Sequence, residues 1–279
     1  MEDLLLIVQG GGDKAAYQIG VMKTLMEKYT LYEPKEIIAT SGGAANFIYY
    51  TAGQGYLAKN IWLDLTKENK FIHIKNLFSK RPIMNLNYLL HIIKTRYPLD
   101  IKKFRNSKIT TYISVTNAKT RKIEYFTNHQ DVNPYHLLKA SCALPFFWGH
   151  KVKINGKRYI DGGILDPIGI QKAIELKRKN VLLILTCSLE ELENPRFLSR
   201  MEDKLFSYAN GGIPYSKMKD YVEELKRNSK NFYVIQPKKP LESPLCSDVQ
   251  KISDEIIRGH KETMKDKRLE KFMRNIRKK

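Results

Sequence analysis

The chain is short of acid, of cysteine and of uninterrupted apolar sequence. It carries 29 Asp and Glu against 49 Lys and Arg, a net charge of +20 over 279 residues. Such an excess calls for nucleic acid, an anionic membrane surface, or nothing beyond a lysine-rich composition. Lysine is spread over most of the chain, and no element interleaves aromatic with basic side chains, so no nucleic-acid partner is expected. Cys142, Cys187 and Cys246 lack metal-ligand spacing and the six histidines form no close cluster, so neither a metal nor another cofactor is expected. So few cysteines suit a reduced, cytoplasmic setting. No segment approaches the length of a membrane span, and "MEDLLLIVQG" has an acidic start and no basic region before its apolar run. It is expected to be neither signal peptide nor anchor.

What is present is an alternation of strand and helix patterns. "LLLIV" (4–8), "EIIAT" (36–40) and "NVLLILTC" (180–187) are apolar runs of the kind buried on both faces. A helix from about Lys14 to Tyr29 follows the first, and another follows Ser41. Residues 55–97 read as helical and aromatic-rich, a cap or a lid. "TTYISVTN" and "RKIEYFT" are strands across a turn, and "KVKINGKRYI" is a hairpin across Asn155-Gly156. "DPIGIQKAIELKRK" predicts a helix with Asp166 at its N-cap and Pro167 at its first position. These units predict an α/β fold, a mostly parallel central sheet flanked by helices in three layers.

The domain is expected over residues 1–240, followed by a basic helical tail over 241–279. From Arg258 to Lys279 there are ten Lys and Arg against three Asp and Glu. Leu269, Phe272, Met273 and Ile276 share one helical face there. Such a face suits docking on the domain, which is the expectation, or peripheral contact with the anionic inner face of a membrane.

Three stretches carry the chemistry. Gly10, Gly11 and Gly12 lie between the first strand and its helix, where successive backbone N–H groups form an anion site for a phosphate or an oxyanion. Ser41 stands at a strand-to-helix corner with Gly42 and Gly43 behind it, either as a nucleophile or as a plain helix cap. Asp161 ends a strand before Gly162 and Gly163, placed to take a proton from a serine on a neighbouring strand. Taken alone, the glycine loop also satisfies a loose dinucleotide fingerprint, with Glu33 as its ribose acid. That reading leaves the serine corner and the Asp-Gly-Gly unexplained.

The order of the three, with "ATSGGAAN", "PLDIKKF", "ASCALPFF" and "GKRYIDGG" in sequence, resembles the patatin-like phospholipases and acyl hydrolases, particularly compact bacterial members. Ala39 departs from the family's Gly-x-Ser-x-Gly pattern and Ala15 from its usual glycine. The resemblance implies a serine esterase acting on phospholipid or lysophospholipid esters. Ser41 is then the nucleophile and Asp161 the general base of a dyad that needs no histidine. Gly10, Gly11 and Gly12 form the oxyanion loop, and Lys14 steers an anionic head group. Phe146, Phe147 and Trp148 are expected to line an acyl channel. A patatin fold that has lost catalysis and only binds lipid is the alternative that Ala39 keeps open. The only histidine after Asp161 is His260, read as a solvated helix residue.

Overall fold

The computed structural model describes residues 3–79, 81–145, 147–193 and 215–277. Its sheet has eight strands: β1 (Leu4–Val8), β2 (Glu36–Ala39), β3 (Thr110–Asn117), β4 (Ile123–Thr127), β5 (Val152–Ile154), β6 (Lys157–Asp161), β7 (Asn180–Ile184) and β8 (Asn231–Ile235). They run in the order β5-β6-β3-β2-β1-β7-β8, with β4 paired to β3 off this path. From β3 through β8 the pairs are parallel, and β4, β5 and β6 extend the sheet antiparallel at one side. The sheet is therefore mixed, with a parallel centre.

β1 sits in the middle and feeds two cores. Leu4, Leu6 and Val8 pack on one face, while Leu5 and Ile7 pack on the other with Ile170, Ala173 and Val222. A strand covered on both sides has no polar face to show, which is why its sequence is uniformly apolar. The first face carries helices α1 (Ala16–Glu27), α2 (Gly42–Thr51), α3 (Ala58–Lys67), α4 (Leu86–Thr95), the short α5 (Ile101–Arg105) and α6 (Pro134–Ser141). The second face carries α7 (Ile170–Leu176), the short α8 (Leu189–Glu193) and α9 (Tyr215–Asn228).

α7 begins later than its sequence predicts. Its N-cap is Gly169 at φ 85°, and Asp166 reaches forward to accept from the N–H groups of Gly169, Ile170 and Gln171 at 2.7, 3.0 and 2.8 Å. Pro167 is withheld from the helix because its carbonyl turns back to accept the Gly10 N–H at 2.8 Å. A long-range bond thus overrides a local start signal.

The chain ends in α10 (Val249–Met264) and α11 (Lys267–Arg277). α10 crosses α1 where Gly20 meets Gly259. A Cβ on Gly20 would overlap the Ile256 carbonyl, and one on Gly259 the Tyr17 carbonyl. On α11, Leu269, Phe272, Met273 and Ile276 are buried, with the Phe272 ring 5.9 Å from that of Tyr233 on β8. Lys267, Arg268, Lys271 and Arg274 face solvent.

Candidate active site

β1 and β2 run parallel, so the loops that leave their C-terminal ends lie side by side. After β2 the backbone turns sharply at Ser41, which adopts φ 51° and ψ −123°. Side chains seldom adopt that conformation, and its strain is held by what surrounds it. Gly42 and Gly43 are dictated by proximity. A Cβ on Gly42 would stand 2.7 Å from the Gly12 carbonyl oxygen, and one on Gly43 2.7 Å from that of Gln9. The Ser41 hydroxyl makes no capping bond to α2. It donates instead to Asp161 Oδ2 at 2.7 Å, and the Ser141 hydroxyl receives the Ser41 N–H at 3.0 Å.

Asp161 closes β6 with its carboxyl fully buried. Its Oδ1 accepts the Gly163 N–H at 2.7 Å. Gly162 can have no side chain, because a Cβ would stand 2.6 Å from the Ser114 backbone. Burial pushes the Asp161 carboxyl up to about 7, although the Ser41 hydroxyl and the Gly163 N–H both pull it down. An acid so placed exchanges a proton near neutral pH, which suits a general base.

The glycine loop faces this pair, and its backbone bonds sort its members. The Gly10 N–H is committed to Pro167 and the Asp13 N–H to the Pro244 carbonyl at 3.1 Å. Among the described residues, nothing accepts the N–H groups of Gly11 and Gly12. Of the three glycines read from sequence as an oxyanion loop, Gly10 therefore shapes the loop while Gly11 and Gly12 keep donors to offer. Gly12, at φ 55°, lies under Pro244, and a Cβ on Gly11 would stand 2.6 Å from Thr186 Oγ1. Glu33, the acid of the dinucleotide alternative, lines a separate surface hollow with Tyr32 and Lys102.

Two spaces meet at Ser41. The first is an open cleft with Gly11, Gly12, Lys14, Phe147 and Asp161 on its walls. The second is a narrow apolar cavity of about 30 Å³, walled by Tyr49, Ile61, Trp62, Leu65, Leu86 and Leu89. Gly12, Ser41 and Met84 border both. Of the residues expected to line an acyl channel, two lie among those described. Phe147 lines the cleft, while Trp148 is buried away from both spaces, packed edge-on against His150 and under the Lys139 ammonium. Phe146 lies outside the described residues. The aromatic-rich stretch 55–97 provides the cavity wall, because the apolar stripes of α3 and α4 turn toward α2.

Asn46 fastens that wall to the glycine loop. Its Nδ2 donates to the Ala15 carbonyl at 2.8 Å, and its Oδ1 accepts from Trp62 Nε1 at 2.7 Å. Ser141 and the Pro167 and Pro244 carbonyls escaped the reading of the sequence. Ser141 sits in the "ASCALP" stretch, but two carbonyls leave no mark in side-chain chemistry. Cys142, beside the dyad, is a buried thiol that burial pushes well above its ordinary range, so it remains protonated. His260 is half-buried rather than solvated, with Nδ1 2.9 Å from Thr24 Oγ1 on α1. Among the described residues, no three His, Cys, Asp or Glu are grouped to hold a metal ion, and no helix is long and apolar enough to cross a membrane.

The family model described as "Patatin-like phospholipase" matches residues 6–174. An uncharacterized protein of Escherichia coli K12, YjjU, is 24% identical over 203 residues, covering 71% of this chain and 56% of that protein. The chain thus spans a little over half the length of that relative. The crystal structure of VipD from Legionella pneumophila aligns over 99% of this chain and 67% of its own, at a TM-score of 0.49 and 14% identity.

Proposed function

The chain belongs to the patatin-like phospholipase family, and from that premise we propose that it is a serine acyl hydrolase cleaving carboxylic esters of phospholipids or lysophospholipids. Family membership implies hydrolysis of lipid esters. The Ser41–Asp161 bond of 2.7 Å, in a cleft also lined by Gly11 and Gly12, whose N–H groups nothing among the described residues engages, carries the finer reading.

In this reading Ser41 Oγ attacks the ester carbonyl carbon as its proton passes to Asp161 Oδ2. The carbonyl oxygen becomes an oxyanion held by the Gly11 and Gly12 N–H groups, each worth roughly 10²–10³ in rate. Collapse of the tetrahedral species breaks the ester C–O bond, and the departing alkoxide takes the proton from Asp161. A water then attacks the acyl-serine, losing its proton to Asp161; the second tetrahedral species breaks its bond to Ser41 Oγ, which takes that proton back from Asp161, and the acid is released. The acyl chain occupies the apolar cavity, and the head group stays in the cleft beside Lys14.

The exposed basic face of α11 supports an anionic membrane surface as the place of work. Its apolar residues are already buried against the domain, so the attraction there is one of charge alone.

The test is hydrolysis of lysophospholipid, two-chain phospholipid and short p-nitrophenyl esters, with fluorophosphonate labelling alongside. The wild type is expected to label at Ser41 and to release free acid. An unlabelled Ser41 together with no hydrolysis of any ester would leave a lipid-binding protein.

A further inference from the structure

Asp13 stands beside the constellation just described and has no part in it. It follows Gly12 in the turn that opens α1, and its backbone N–H is held by Pro244. The side chain is only 3% exposed, and its Oδ2 has no hydrogen-bond partner. It borders the apolar cavity together with Ser41, Gly42 and Trp62. Burial pushes the carboxyl well above its ordinary range and so favours the protonated form, which presents an O–H donor and a C=O acceptor.

Nothing in the packing calls for an acid here. Apart from Ser41, Cys142, Gly12 and Gly42, the rest of that wall is made of apolar side chains, and a leucine would complete it. A buried polar atom without a partner costs as much as a lost hydrogen bond, and in a native structure it asks for a ligand or water to complete it. The cavity is where an acyl chain attached to Ser41 would lie. With the carbonyl oxygen on the Gly11 and Gly12 amides, the next residue flanks the first carbons of that chain, since successive Cα atoms are only about 3.8 Å apart.

We infer that the cavity selects an acyl chain bearing a hydroxyl on one of its first carbons, and that the Asp13 carboxyl is the partner of that hydroxyl. The inference rests on the acyl-hydrolase reading of Ser41 and deepens it to a substrate class. The hydroxyl donates to the carboxyl C=O and accepts its O–H, so both groups leave water without loss. A plain chain fills the same space and leaves Asp13 unpaired. Pockets that hydrogen-bond a substrate hydroxyl discriminate strongly against analogues lacking it, and a preference of roughly tenfold or more is expected.

The experiment compares p-nitrophenyl esters of octanoic, 2-hydroxyoctanoic and 3-hydroxyoctanoic acids on the wild type, Asp13→Leu and Asp13→Asn. The wild type should show kcat/KM at least tenfold higher for one of the hydroxy esters. Asp13→Leu should reverse this order, hydrolysing the plain ester faster than the wild type does, while Asp13→Asn keeps the hydroxy preference because an amide still donates and accepts. Fluorophosphonate labelling of each variant separates failure of Ser41 from failure of this inference. A second arm titrates each folded protein with free octanoate and 3-hydroxyoctanoate by calorimetry, so that selectivity is read even without turnover. Should Asp13→Leu not fold, the wild type and Asp13→Asn in both arms still decide. A wild type that favours the plain chain in both arms, or an order unchanged in Asp13→Leu, overturns the inference.

Discussion

The Pro244 carbonyl holds the Asp13 N–H at 3.1 Å, tying the stretch before α10 to the turn that opens α1. The segment 241–245 also borders the cleft. The C-terminal part of the chain, beyond the span of the family match, is therefore a wall of the site and a brace for the glycine loop.

The same brace is exposed to attack where α10 crosses α1. Gly20→Ala or Gly259→Ala would press a methyl group into backbone, and each should cost about 3 kcal/mol or more, the upper range for overpacking. Because α1 starts on the glycine loop, the separation of the helices should also slow fluorophosphonate labelling. Urea denaturation and labelling rates check both effects. Unchanged stability would mean that the two helices part freely.

Ser41→Ala should abolish ester hydrolysis and labelling with the fold retained. Ser41→Gly should be equally inactive yet more stable than Ser41→Ala by about 1 kcal/mol, since the strain of a positive φ is specific to residues with a side chain. The difference is read from paired denaturation curves.

The pH dependence follows from Asp161. The base must be ionised, so kcat/KM should rise through about pH 7 and level off above it. Its folded value lies above its ordinary 3.8, so the folded chain holds the extra proton between the two. The stability contributed by this group is thus present below about pH 4 and is lost as pH rises through about 7. Asp161→Asn should be inactive and, above pH 7, more stable than the wild type. Its amide can still accept from Gly163 and meet Ser41. An Asp161→Asn variant that melts earlier at pH 8 would contradict the cost assigned to burial.

His260→Ala should retain most of the activity, since His260 bonds Thr24 on α1 and does not border the cleft. Burial lowers its proton affinity, and its hydrogen bonds among the described residues run to Thr24 rather than toward Ser41. A kcat/KM reduced a hundredfold in this variant, with Asp161→Asn still active, would replace the dyad by a triad.

Changing Lys267, Arg268, Lys271 and Arg274 together to Glu should weaken binding to phosphatidylserine vesicles at least tenfold, since each basic residue near such a surface is worth about 1 kcal/mol. Raising salt should weaken wild-type binding in the same direction. Hydrolysis of a soluble ester should persist. Vesicle binding indifferent to both changes would place the contact elsewhere. Deleting 258–279 is a poorer test, because it also removes Gly259 and the buried face of α11.

The amino-acid sequence by itself determined the parallel centre of the sheet, the serine corner and the acid that ends β6. Those features rest on local chemistry: strands buried on both faces must be apolar, and Gly42, Gly43 and Gly162 stand where backbone passes too close for a Cβ. Only the tertiary structure decided which loop amides stay unengaged, because Pro167 and Pro244 remove the neighbours of Gly11 and Gly12 from the count. It also decided that α3 and α4, rather than Trp148, wall the cavity. The proton affinity of Asp161 and the isolation of Asp13 belong with these. Burial and hydrogen-bond partners come from chain segments far apart in sequence, and a carboxyl's setting is fixed only once those segments have packed around it.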